Sequence, residues 1–347
     1  MAVKTPLVAP SRLSGDTRLL CRIALAGLLC GLLSSPAVWS ATPEPPPGVG
    51  GNPTTAATQD PSAAEVLVEA NEPKYVAPTL RDRIGRIWAP VMINGKGPFR
   101  LVLDTGASHS AVISRVATNL GIPSQSEPIL LRGVTGEALV PAIHVDRMEV
   151  GDLLIEPSTL PIVADAFGGA EGVLGREGLP DKRIFADFRH DRLVISRSHR
   201  EHAGLGYSVI PLKLAHGGLL VADIYVGTVR TQAIIDTGGQ RTVGNLALRQ
   251  ALMKHRPADA ISEEIIGVTL DVQRGDAMPA PTIQMGTLKL NNVQVAFGDM
   301  FLFEHLKLTR QPTLMIGMDV LGSFDVLVID YKMRELQIRT RGSTIPF

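Results

Sequence analysis

An internal repeat constrains this chain more than any other feature of its sequence, and a repeat is sought before any single motif is weighed. An apolar strand ending in Asp-Thr-Gly occurs twice, as Leu101-Val102-Leu103-Asp104-Thr105-Gly106 and as Ala233-Ile234-Ile235-Asp236-Thr237-Gly238. Each copy continues to a Gly-Val-Thr turn, Gly133-Val134-Thr135 and Gly267-Val268-Thr269. An apolar-apolar-Gly run follows, Val173-Leu174-Gly175 and Met315-Ile316-Gly317, and then a closing hairpin at Asp187-Phe188 with Leu193 and at Asp330-Tyr331 with Leu336. Matching landmarks lie 132 positions apart for the aspartates, 134 for the turns, 142 for the later glycines and 143 for the hairpins. Four landmarks in one order, with only small insertions between them, divide the chain into two lobes at about residues 81–198 and 204–347.

Within each lobe, short runs such as Arg100 to Leu103, Leu219 to Val226 and Val326 to Ile329 are bounded by Gly, Pro, Asn or Asp, which is the pattern of strands. Helical signals are fewer. Val112, Val116 and Leu120 recur every four residues ahead of Gly121, a C-terminal stop, and Leu248 and Leu252 mark the counterpart in the second lobe. The expected fold class is all-β with short helices: two barrel-like lobes related by internal duplication, facing one cleft.

Residues 1–40 are expected to be an export signal of bacterial type rather than part of the fold. Lys4, Arg12, Arg18 and Arg22 form a basic region, Ile23 to Leu33 an apolar stretch, and Val38 and Ser40 are small residues ahead of Ala41. The alternative is an uncleaved inner-membrane anchor at residues 23–39. That stretch has 17 residues and includes Ser34, Ser35 and Pro36, short of the ~20 that a span needs. Cleavage and a periplasmic location are therefore preferred. Both cysteines, Cys21 and Cys30, fall in this segment, so the mature chain excludes cysteine catalysis, thiolate metal sites and disulfides. Residues 41–80 begin rich in Pro, Gly, Ala and Thr and read as a flexible linker, with the folded part starting near Arg81.

Lys plus Arg equals Asp plus Glu at 34 each, without a block of one sign, which argues against nucleic acid as a partner. Without residues 1–40 the formal charge is −3, from 30 basic and 33 acidic residues. That mild acidity specifies no partner. A membrane enters only if the N-terminal segment stays uncleaved.

A lone Asp-Thr-Gly is an ordinary turn after a strand. Two of them, each behind three apolar residues and at matching places in a repeat, are different. A carboxylate at the end of a buried strand is costly unless something pairs or uses it, and two such carboxylates from two lobes can meet. Like charge then keeps both from ionising, so the pair shares one proton and titrates as a unit. The ionised partner can take a proton from a bound water while the protonated partner hydrogen-bonds to a peptide carbonyl. Thr105 and Thr237 can lock the loops through their hydroxyls, and Gly106 and Gly238 let the backbone turn closely beneath the carboxylates.

At these residues the chain resembles the retropepsin-like aspartic proteases, over nearly everything from Arg81 to Arg341. The resemblance rests on Asp104-Thr105-Gly106-Ala107-Ser108, Asp236-Thr237-Gly238, Val173-Leu174-Gly175-Arg176 and Met315-Ile316-Gly317-Met318-Asp319. It implies catalytic aspartates at positions 104 and 236, a peptide or protein substrate cut as an endopeptidase cuts, and no cofactor. It also implies flaps closing over an extended peptide, at Gly133-Val134-Thr135-Gly136 and at Gly267-Val268-Thr269 with Leu270. Two flaps in one chain imply a fused version of the viral-type dimer, active as a monomer.

Ser108 is read as support for the first loop. The second loop departs from the family, with Gly239-Gln240 where Ala or Ser followed by Ser, Thr or Asp is usual. That departure is the best support for an alternative, a catalytically silent peptide-binding module of the same fold in the cell envelope; a purely structural envelope protein would leave the carboxylates apart. Other chemistry fares worse. His199 and His202 have metal-like spacing but no third ligand nearby, so no metal is expected. Ser108-His109-Ser110 lacks the elbow of a serine nucleophile, and Gly48 to Gly51 lacks the strand and helix that flank a nucleotide loop.

Overall fold

The strand runs of the sequence become two β-rich lobes in the computed structural model, which describes residues 75–78, 85–150, 153–156, 158–253 and 261–340. The expected export signal and nearly all of the linker lie outside these residues. In the first lobe Trp88–Ile93 turns through Asn94-Gly95, both at positive φ, into Lys96–Leu103, the turn chemistry that suits a tight hairpin. In the second, Leu219–Val226 turns at Gly227 into Val229–Ile235. The later landmark strands run parallel to these, Gly172–Leu174 beside Lys96–Leu103 with Val173 opposite Val102, and Thr313–Ile316 beside Val229–Ile235 with Met315 opposite Ile234.

Each strand that leads into an Asp-Thr-Gly is therefore central in its sheet, and its last three side chains are buried without alternation: Leu101, Val102 and Leu103, and Ala233, Ile234 and Ile235. A continuous apolar run suits a strand covered on both faces. An eight-stranded sheet organises the first lobe and a larger one the second.

The closing hairpins join the lobes. Lys182–Asp187 and Arg192–Arg197 come from the first lobe, Val326–Asp330 and Glu335–Arg339 from the second, and Lys182–Asp187 pairs antiparallel with Val326–Asp330. The result is a six-stranded sheet whose central pairing crosses from lobe to lobe, with Phe185 opposite Val328. One apolar core runs through both lobes and this sheet, from Leu101 to Ile338. Everything described belongs to one compact unit, Leu67–Phe347.

Two expectations are corrected. Tyr75–Pro78, inside the segment read as linker to residue 80, is a strand on the edge of the joining sheet, paired with residues Arg192 to Ile195. An edge strand tolerates Pro78, whose missing N–H is not needed there. Val112 lies in the strand Ala111–Ile113, and the first helix is Ser114–Leu120, closed by Gly121 at φ 71°. Its counterpart is Leu246–Met253. No helix among the described residues is long and apolar enough to cross a membrane.

Candidate active site

Each central strand delivers its aspartate to the same place. The N–H of Asp104 donates to Leu174 O and that of Asp236 to Ile316 O, both at 3.0 Å, so both loops start from the same strand pairing. Beyond them the backbone turns back on the carboxylates. Asp104 Oδ1 accepts the N–H of Gly106 at 2.7 Å and of Ala107 at 3.0 Å; Asp236 Oδ1 accepts those of Gly238 and Gly239, both at 3.0 Å.

Thr105 and Thr237 tie the loops to each other. Thr105 Oγ1 donates to Ile235 O and Thr237 Oγ1 to Leu103 O, each at 2.7 Å. Each hydroxyl also accepts the N–H of the other threonine at 3.1 Å. Both side chains are fully buried, where water does not compete for these four bonds. The glycines permit the approach: a Cβ on Gly106 would stand 2.9 Å from Asp236 Oδ1, and one on Gly238 would overlap the Asp104 carboxyl.

A second ring of hydrogen bonds braces both loops. Ser110 Oγ accepts the N–H of Gly175 at 3.0 Å, and Ser110 N–H donates to Glu177 Oε1 at 2.7 Å. In the second lobe Thr242 Oγ1 accepts the N–H of Gly317 at 3.1 Å and donates to Asp319 Oδ1 at 2.7 Å. The bracing hydroxyl is therefore Ser110, not Ser108, which is exposed. Laying Asp104-Thr-Gly-Ala-Ser-His-Ser110 over Asp236-Thr-Gly-Gly-Gln-Arg-Thr242 would have found it, because beyond the shared threonines only the last position keeps a hydroxyl in both.

The same overlay accounts for Gly239-Gln240. Gly239 stands in the place of Ala107: its N–H reaches Asp236 as that of Ala107 reaches Asp104, and its carbonyl accepts from Met318 as that of Ala107 accepts from Arg176. Gln240 is exposed and takes part through its carbonyl, which accepts from Asp319 N at 3.1 Å. His109, His199 and His202 are exposed.

The two carboxyls converge on one glycine: a Cβ on Gly106 would stand 2.9 Å from Asp236 Oδ1 and 3.1 Å from Asp104 Oδ1. Asp236, 4% exposed, is pushed up to about 8, by burial first and by the charge of Asp104 second. Burial raises Asp104 as well, against the N–H bonds from Gly106 and Ala107 and the guanidinium of Arg86. One proton is thus retained on the pair well above the ordinary carboxylate range.

Both turns expected to be flaps are tips of hairpins. Ile129–Arg132 and Glu137–Val140 flank Gly133 to Gly136; Ile261–Ile266 and Val272–Pro279 flank Gly267 to Asp271. The tips touch: a Cβ on Gly133 would come 2.9 Å from Val268 Cγ1, and one on Gly267 would overlap Thr135 Oγ1. Val134 O accepts the N–H of Leu302, from the helix Phe301–His305, at 3.0 Å. The hydroxyls of Thr135 and Thr269 are buried without a hydrogen-bond partner.

A family described as aspartyl protease matches the chain twice, at residues 89–177 and 222–320. Each match carries one Asp-Thr-Gly, one flap turn and one apolar-apolar-Gly run. No curated protein matches the chain.

Proposed function

Since the chain belongs to the aspartyl protease family through both of its lobes, we propose that it is an aspartic endopeptidase that cuts peptide bonds with a water activated between Asp104 and Asp236. The observation that carries this reading is the reciprocal lock of the loops. Thr105 and Thr237 each donate to the other lobe's backbone and accept its N–H, which brings two carboxyls together from one chain. The active form is accordingly the monomer.

The shared proton divides the work. The ionised carboxylate takes a proton from the water as the water oxygen attacks the substrate carbonyl carbon. The protonated carboxyl hydrogen-bonds to the carbonyl oxygen, where negative charge develops. The tetrahedral species then breaks its C–N bond, and the nitrogen leaves with a proton returned by the pair. The substrate is an extended peptide or protein segment between the aspartates and the flap tips, so the tips part to admit it. Export from the cytoplasm rests on the N-terminal sequence alone.

The test is to incubate the mature protein with a diverse peptide mixture across pH and to map cut sites by mass spectrometry. Internal cuts that vanish in Asp104→Asn are expected. A mixture left intact at every pH, with peptides still retained by the protein, would favour the silent binding module.

A further inference from the structure

The surroundings of the two aspartates differ at one buried position that the strand register brings beside each of them. In the first lobe Trp88 pairs with Val102 and Leu103 N–H donates to Ile87 O at 2.9 Å. One further step along that register sets Arg86 opposite Asp104. In the second lobe Val221 pairs with Ile234, and Leu219 lies two residues before Val221 as Asp236 lies two beyond Ile234, so Leu219 holds the place in the strand that Arg86 holds in the first lobe. Both side chains are buried, Arg86 at 6% exposed and Leu219 at 5%. The duplicated fold therefore accepts a leucine at this place, and a buried guanidinium is costly where an apolar side chain would serve. Arg86 therefore places a charge beside one aspartate where the other lobe places an apolar side chain.

Arginine stays charged at any pH the protein meets. Inside a protein, a fixed cation near one of two competing carboxyls favours ionisation of the nearer one. The guanidinium of Arg86, held over the Phe167 ring at 5.7 Å, acts on Asp104 in this sense. Among the described residues, Asp236 from the second lobe and Tyr331 from the closing hairpin also act on or feel Asp104. Tyr331 is raised by burial and so stays neutral, and it also feels Arg176. Burial and the charge of Asp104 dominate at Asp236.

We propose that Arg86 is a positioning residue that keeps the negative charge of the pair on Asp104. Asp104 is then the base that takes the proton of the water, and Asp236 is the acid that faces the substrate carbonyl. This assignment rests on the endopeptidase reading above and adds a direction to it.

The experiment uses the full chain and a peptide cut by it. Removing the cation makes ionised Asp104 less favourable, so the acid limb of kcat/KM against pH moves upward. Arg86→Met, which keeps an apolar stem, is expected to move it by about one pH unit, close to a tenfold loss of kcat/KM on the acid side. Arg86→Lys is expected to hold the limb near its original place. A purely structural role would lower activity at all pH values alike. An unmoved limb in folded Arg86→Met, or an equal shift in the lysine variant, overturns the proposal while leaving the endopeptidase reading intact. Should Arg86→Met not fold, carboxyl-carbon NMR of the unaltered protein decides, with signals assigned from Asp104→Asn and Asp236→Asn. Asp104 is expected to ionise first and Asp236 to hold its proton to about pH 8; the reverse order overturns the proposal. Full activity in either asparagine variant would instead remove the endopeptidase reading.

Discussion

The candidate flap of the first lobe is a two-stranded sheet of its own, Ile129–Arg132 with Glu137–Val140, whereas the candidate flap of the second continues into its lobe. There Asp276 to Pro279 pair with Gln294–Phe297, so the second flap is anchored at its base. The first is held at its tip by a helix of the opposite lobe, through Leu302 N–H to Val134 O, with Val134 packed against the apolar cluster of Met300 and Phe303. That helix, Phe301–His305, lies within residues 298–312, and the matching stretch of the first lobe, residues 164–171, has none. The second lobe thus holds both flaps, since Phe301 N–H also donates to Gln273 Oε1 at 3.0 Å. The first lobe instead supplies the buried cation beside the aspartates. Duplication kept the two loops alike and let their surroundings diverge.

The strongest way to break the likeness of the loops is to remove one aspartate. Asp104→Asn and Asp236→Asn are each expected to lower kcat/KM by about 10²- to 10⁴-fold. The double variant should cost little more, because groups that act as a unit are non-additive. A single variant with substantial activity would show that the loops are not partners.

The glycines come next. Gly238→Ala drives a methyl into the Asp104 carboxyl, while Gly106→Ala meets Asp236 Oδ1 at 2.9 Å. Activity should fall in both, further for Gly238→Ala. Equal losses would mean that the loops relax alike.

The shared proton has a pH signature. Asp236 is raised when folded, to about 8 from 3.8, so its contribution to stability is fully present below about pH 4 and is lost as pH rises through 8. The thermal midpoint of the protein relative to Asp236→Asn should therefore fall across that window. The alkaline limb of kcat/KM should lie near pH 8, where the proton leaves. A midpoint difference that does not change with pH would remove the buried proton from the account.

The smallest effects separate the flaps. Val134→Ala trims the tip by which the first flap is held, and amide hydrogen exchange over residues 129–140 should rise several-fold, as expected for a loss of about 1 kcal/mol. Gln273→Ala removes one hydrogen bond from a flap still paired at its base, and exchange over residues 272–279 should change less. Equal loosening would erase the distinction between tip-held and base-held flaps.

By itself the sequence determined the two lobes and the all-β class, and it singled out Asp104 with Asp236 as the candidate pair and two Gly-Val-Thr turns as candidate flaps. These follow from local requirements: a strand buried on both faces is apolar throughout, and a backbone passing under a carboxylate needs glycine. Tyr75–Pro78 reads as linker in the sequence because four residues ending in proline carry no strand signal until Arg192–Arg197 offers an edge to pair with. The sequence of the first loop alone does not separate Ser110 from Ser108, because hydroxyl position in a loop depends on which way the chain turns, and only the folded loop points Ser110 at Gly175. Gly239-Gln240 looked like a defect until the backbone N–H of Gly239, which no side-chain pattern reveals, reached Asp236. Only the tertiary structure decided that the closing hairpins join the lobes into one sheet, that one helix holds both candidate flaps, and that a buried Arg86 stands on the strand register beside Asp104 where the second lobe has Leu219. These are pairings between distant segments, set by register and packing in three dimensions, and a pattern read along the chain does not encode which strand a buried side chain will meet.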